Sequence, residues 1–135
     1  MFDVHSVSHN LHRETQMLDG TWKPTEATMG GQPFPPPVLA MMTLTISGGG
    51  TAYRVQVGPQ LDAGTTKVDD TQSPRAMDIS GVEGPNAGKT IPAIYDLGGD
   101  TLRVCYDLSC QSRPTAFASA AGTQHFLVTY QRAAS

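Results

Sequence analysis

The sequence predicts an all-β domain, an up-and-down antiparallel β-barrel of eight to nine strands preceded by a short N-terminal helix. Three observations carry this. Apolar and polar residues alternate with period two in several stretches after Gly20. Fourteen glycines and ten prolines in 135 residues supply the frequent turns that short strands need. After Gly20 no stretch shows helical periodicity, and all links are short, so consecutive strands must pair with their neighbours. A meander of that many strands hides its edges best by closing on itself. The whole chain, 1–135, reads as one domain, with residues 1–19 a helical segment and 20–132 the barrel.

The helix is expected over residues 4–18. Val4, Val7 and Leu11 form one stripe, Ser6 or Ser8 can cap, and Gly20 stops it. Thr21 to Thr28 is the first strand and holds the single Trp, Trp22. The run Gly30-Gly31-Gln32-Pro33-Phe34-Pro35-Pro36-Pro37 is expected to be an extended, polyproline-like loop outside any ladder, because prolines lack amide donors. Met42, Leu44 and Ile46 alternate with polar residues, Gly48-Gly49-Gly50 turns the chain, and Tyr53, Val55 and Val57 alternate on the way back. That hairpin is the clearest period-two signal. Weaker strands follow at Leu61 to Val68 and Arg75 to Ile79. Lys89 to Leu97 and Thr101 to Asp107 flank Gly98-Gly99, a pair suited to a type I′ turn. Thr115 to Ser119 and His125 to Arg132 complete the count.

Composition excludes some functions. Net charge is −3 with scattered signs, so the basic footprint expected for nucleic acid or an anionic membrane is missing. No run approaches the roughly 18 apolar residues that span a bilayer, and the N-terminus has no visible signal peptide, which leaves the compartment open.

Several blocks resemble a known family. Leu18-Asp19-Gly20-Thr21-Trp22-Lys23, Ala76-Met77-Asp78-Ile79, Glu83-Gly84-Pro85-Asn86-Ala87-Gly88-Lys89-Thr90 and Ile94-Tyr95-Asp96-Leu97-Gly98-Gly99-Asp100-Thr101-Leu102 are similar to a bacterial family of small lipocalin-like domains best known from planctomycetes. The resemblance covers roughly residues 15–132. It implies a lipocalin-like barrel with no catalytic residues to transfer, from a family without an established biochemical activity. It also implies that Trp22 packs at the closed end beneath Arg132 of the last strand, as in lipocalins generally. A guanidinium stacked on an indole combines cation–π attraction with satisfied donors. The Pro33 to Pro37 loop and Cys110 depart from the family pattern.

Other constellations carry weaker chemistry. Ala87-Gly88-Lys89-Thr90 looks like the tail of a phosphate-binding loop, but Glu83 stands where the first Gly belongs and Pro92 excludes a following helix, so a turn is expected. His5, His9 and His12 fall on one helical face, where three imidazoles can hold zinc, but a solvent-facing site lacks the groups that orient ligands, so no metal and no cofactor is expected. Cys105 and Cys110 are close enough in sequence for a redox pair or a staple; idle free thiols are favoured, with Cys105 partly exposed on the Arg103 face. His125 has no nucleophile elbow to serve, so no enzyme is expected.

The inward set is Met42, Leu44, Ile46, Tyr53, Val55, Val57, Leu102, Val104, Tyr106, Phe126, Val128 and Tyr130. These residues either line a pocket for a small hydrophobic ligand at the open end or fill the barrel. Their bulk favours a filled or nearly filled interior. The two functional readings are therefore a non-enzymatic binding domain and a protein-interaction or structural module with no internal ligand.

Overall fold

The computed structural model describes residues 17–133. The strands are β1 (Gly20–Met29), β2 (Gln32–Pro33), β3 (Met42–Ser47), β4 (Ala52–Val57), β5 (Gln60–Asp69), β6 (Arg75–Glu83), β7 (Thr90–Gly98), β8 (Thr101–Asp107) and β9 (His125–Arg132). Strands β3 to β9 form an antiparallel meander, and β1 pairs with both β3 and β9. Eight strands thus close into a barrel, and β2 adds a short extra ladder to β1. The all-β, up-and-down barrel read from the sequence is the observed fold. The predicted helix over residues 4–18, with His5, His9 and His12, lies outside the described residues except for its last two positions.

Register explains why the alternating residues share one face. Leu44 lies opposite Val55 and Ile46 opposite Tyr53 in the β3–β4 pair. Leu102 faces Tyr130, Val104 faces Val128 and Tyr106 faces Phe126 in the β8–β9 pair. Like partners on one face bury each other, and a slip of one residue would expose every one of them.

In β1 the inward phase changes along the strand. Trp22 and Pro24 are buried, then Ala27, and Met29 reaches the interior. The pairing with β9 skips from Pro24 to Glu26, leaving Thr25 as a bulge whose hydroxyl donates to the Thr129 carbonyl at 3.2 Å. One extra residue at a proline, which lacks an amide to give, shifts the inward positions from even to odd numbers.

The barrel is closed at one end by side chains of the chain's two ends. Trp22 is fully buried, and its indole nitrogen donates to the Leu18 carbonyl at 2.9 Å. The Arg132 guanidinium lies 4.2 Å from the Trp22 ring centroid. It donates to the carbonyls of Asp19 at 2.8 Å and Met17 at 2.7 Å and to the Asp100 carboxylate at 3.1 Å. Gly48, Gly49 and Gly50 all have positive φ, which aims successive amides outward from the β3–β4 turn. The Asp19 carboxylate accepts from the Gly49 and Gly50 amides at 2.9 and 2.8 Å. The expected Trp22–Arg132 stack is therefore present, within a larger polar lock.

The structure corrects three local expectations about chain path. The proline-rich run is not one extended loop. Gln32–Pro33 pairs with β1 as β2, and Pro36–Ala40 forms a short helix, α1. Proline is tolerated at a helix start, where the amide would have no partner, and Pro36 stands there. The turn between β7 and β8 is Gly99-Asp100, since Gly98 pairs with Thr101, and only Gly99 has positive φ, at 63°. That is the pattern of a type II′ rather than a type I′ turn. Thr115 to Ser119 is not a strand, because β8 and β9 pair directly and leave no free edge for it.

The segment of residues 108–124 is instead a strap across the outer face. Arg113 donates to the carbonyls of Met77 (3.3 Å) and Ala93 (3.0 Å) and to the Asp78 carboxylate at 2.7 Å. The strap is tied at its root by Asp107. Burial opposes ionisation of this carboxyl, but hydrogen bonds from Ser109, Ser112 and Gln111 outweigh it and hold it below the usual carboxylate range. Beneath the strap lie the outward-facing Ala76, Ile94 and Cys105, all buried. Cys105 is thus not partly exposed as its alternation implies; its thiol is covered and donates to the Ala118 carbonyl at 3.4 Å.

Replacing Trp22 by Ala should lower stability by about 3–5 kcal/mol, as for other buried aromatics, and thermal denaturation should show it as a large fall in Tm. Arg132→Lys should cost about 1–3 kcal/mol, because an ammonium cannot reproduce the guanidinium's fan of donors over the ring. A Tm unchanged in both variants would show that the closed end is not what holds the barrel together.

Candidate functional site

The barrel interior is not filled. An apolar cavity of about 330 Å³ opens at the end opposite Trp22. Met42, Leu44, Ile46, Tyr53, Val55, Val57, Leu102, Val104, Tyr106, Phe126 and Tyr130 of the inward set all line it. Val128 is fully buried in the core cluster beside them but does not reach the cavity. The bulk of these side chains misleads because β1 and β3 pair only over Gly20–Trp22 and Leu44–Ile46. Beyond that point the two strands separate, and the gap admits α1 and its neighbours rather than a ladder.

Phe34 and Val38 fill part of that gap and join the lining. Leu39 of α1 is buried behind them. Lys23 bridges the seam, its ammonium donating to the Met42 carbonyl at 2.6 Å and the Thr43 hydroxyl at 2.9 Å. One wall is aromatic: Phe34 and Phe126 have ring centroids 5.3 Å apart, and Phe126 and Tyr106 5.7 Å apart. Met77 and Ile79 of β6 and Ile91 of β7 complete the apolar surface.

The polar groups of the lining are few, and most are hydrogen-bonded. Tyr106 and Tyr130 share a hydrogen bond of 2.8 Å between hydroxyls. Tyr53 donates to Asp62 Oδ1 at 3.2 Å, and Asn86 Nδ2 donates to Asp62 Oδ2 at 2.7 Å. Thr66, also in the lining, donates its hydroxyl to the Gly50 carbonyl. Burial pushes the Tyr106 phenol well above its ordinary range and that of Tyr130 up to about 12. Burial also raises the Tyr53 phenol, and the adjacent Asp62 charge adds to the effect.

Asn86 reaches the cavity because the β6–β7 loop folds back over its own strands. A Cβ on Gly81 would sit 2.0 Å from the Asn86 carbonyl oxygen, and one on Gly84 would sit 2.3 Å from that of Leu61. Only glycine permits those approaches. The same loop disposes of the phosphate-loop likeness of Ala87 to Thr90. The Ala87, Gly88 and Lys89 amides donate to the carbonyls of Gly84, Gly81 and Asn86, so they are not aimed at an anion.

The remaining candidates do not converge on the cavity. Cys105 and Cys110 are free thiols. Burial raises the Cys105 thiol, which lies outside the barrel wall under the strap, while Cys110 packs against the interior cluster. The wall between them explains why short sequence separation does not bring them together. His125 begins β9 opposite Asp107, and its carbonyl accepts from the Ser119 hydroxyl at 2.6 Å. Among the described residues no group of three or more His, Cys, Asp or Glu side chains gathers at one point, and no helix is long and apolar enough to cross a membrane.

The lining residues that sequence reasoning missed lie on β1, α1, β5, β6, β7 and the mouth loops. Met77, Ile79 and Ile91 do alternate, and their period was legible. Gln60, Asp62 and Thr66 share a face of β5 but are polar, so hydrophobic alternation carries no signal there. Compared with known protein families, curated proteins and solved structures, the chain matches none.

The buried phenols make an alkaline titration informative. Their folded-state pKa values are raised above the ordinary 10.0, so the stability from keeping them neutral is whole below about pH 10 and is lost as pH climbs toward the folded value of about 12 for Tyr130. Ultraviolet phenolate absorbance should therefore rise late and together with loss of near-ultraviolet dichroism. The double variant Tyr106→Phe, Tyr130→Phe, which removes both hydroxyls at once, should shift that alkaline unfolding upward. Phenolate formation near pH 10 with the fold intact would contradict their burial.

Proposed function

We propose that this domain is a non-enzymatic, lipocalin-like binding protein that takes a small hydrophobic molecule through the open end of the barrel. The observation that carries the reading is the cavity of about 330 Å³, whose lining is overwhelmingly apolar with a handful of placed polar groups. That combination is characteristic of small-molecule sites, which lie in the mouths of β-barrels and fall between about 300 and 1,000 Å³. Two further features support it. The interior is pre-formed by strand pairing, so a ligand need not order the wall. The mouth is bounded by Phe34, Val38, Pro85 and Asn86 from loops and α1, elements whose sequence can vary without disturbing the ladders.

The alternative of an interaction module with a filled barrel finds less support, because unfilled apolar volume forfeits dispersion contacts. Membership of the planctomycete-type lipocalin-like family is part of the proposal and rests on the motif blocks together with the Trp22–Arg132 stack.

Titration with the neutral apolar fluorophore N-phenylnaphthylamine should give saturable enhancement with one site per barrel. Val55→Trp, which places an indole in the lumen, should abolish it while circular dichroism and Tm stay near those of the parent. Absence of enhancement, together with a native mass spectrum showing no carried molecule, would refute the binding reading.

A further inference from the structure

We propose that the ligand is an apolar amine, its protonated nitrogen pairing with the Asp62 carboxylate inside the barrel mouth; this rests on the reading of the cavity as a ligand site. Among the described residues Asp62 is the only charged side chain in the cavity lining. Both of its hydrogen-bond donors are neutral, the Tyr53 hydroxyl and the Asn86 amide, one on each oxygen. A carboxylate has about four acceptor positions, so each oxygen retains capacity for another donor.

No cationic side chain of the described residues pairs with this carboxylate. Among the described residues the ion pairs go elsewhere: Arg75 and Arg103 to Asp96, Arg113 to Asp78, and Arg132 to Asp100. No Lys or Arg side chain of the described residues lines the cavity. The Asp62 field is nonetheless felt within it, since it helps raise the phenols of Tyr53 and, across the lumen, Tyr106. A negative charge at the edge of an apolar site, held in place by neutral donors, costs solvation unless a cation or strong donor joins it.

The location also fits an amphipathic shape. The apolar part of the ligand would occupy the depth between Ile46, Leu102 and Ile79, with the nitrogen at the mouth. The Tyr106 and Phe126 rings of the aromatic wall offer faces to either part. The same electrostatics argue against fatty acids and other anionic amphiphiles, which would meet Asp62 with no cation to receive their head group. Asp62 is held in place by the Asn86 contact, which depends on the close approaches at Gly81 and Gly84.

The test is isothermal titration of the parent protein at neutral pH with three probes that share one chain: decylamine, decanol and decanoate. Decylamine should bind at least about tenfold tighter than decanol, the worth of a charge-assisted hydrogen bond, and decanoate should bind weakest. In Asp62→Asn, with folding verified by circular dichroism, the amine-to-alcohol ratio should fall to about one; Asp62→Glu, which keeps the charge, should retain a preference for the amine. Equal affinities, or decanoate as the tightest probe, would overturn this inference and leave the cavity reading standing. A ratio undiminished in Asp62→Asn would assign the preference to the overall negative charge and would overturn it as well. Failure of all three probes to bind would remove both the inference and the reading beneath it.

Discussion

The stack of Arg132 on Trp22 is the contact on which the closed barrel depends. Trp22 and Arg132 are partners in the β1–β9 ladder, so the interaction joins the first and last strands of the barrel. Without that join, a meander of this kind is an open sheet with two exposed edges. The guanidinium also collects the carbonyls of Met17 and Asp19, and Asp19 in turn occupies the amides of the glycine turn between β3 and β4. Three segments distant in sequence, residues 17–22, the glycine turn and β9, therefore meet around one indole. Gly20 is part of the arrangement, because a Cβ there would lie 2.6 Å from an Arg132 nitrogen.

A tight seal at one end leaves the other end free to differ. β1 follows β3 for only a few residues and then leans away, and the bulge at Thr25 resets which of its side chains face inward. The resulting gap is neither left open nor closed by hydrogen bonds; it is bridged by Lys23, β2 and α1. The cavity is a consequence of this asymmetry. Leu18 and Trp22, both fully buried, pack the base, while the lumen above is bounded by side chains too far apart across the barrel to meet.

The outer surface follows a different logic. A barrel strand has an outward face that water can cover, yet Ala76, Ile94 and Cys105 are buried there. The strap of residues 108–124 covers them, secured by Asp107 at its root and by the Arg113 contacts to β6 and β7. Arg103 stacks on Phe117 at 4.0 Å and holds the far part of the same strap. The middle of the outer face of β6 to β8 is thus covered, while its ends, at residues such as Thr90 and Asp96, stay exposed.

How much could be read in advance depended on whether the cause was local. Alternation is a property of a single strand, so the β3–β4 hairpin, the inward faces of β8 and β9, and the barrel class were legible in residues such as Leu44, Val55 and Val104. The Trp22–Arg132 pair was legible through resemblance and the chemistry of an indole and a guanidinium. Features caused by distant partners were not. Cys105 follows the outward period faithfully and is buried only because the strap lies over it. Thr25 bulges only because β9 sets the register beside Pro24. Asp62 sits in a polar stretch with no hydrophobic contrast, and nothing local says that its carboxylate turns into an apolar lumen and meets Asn86 there. The order of turns and faces was written in the sequence; the empty space inside was decided by how far β1 and β3 part, a quantity only the assembled barrel possesses.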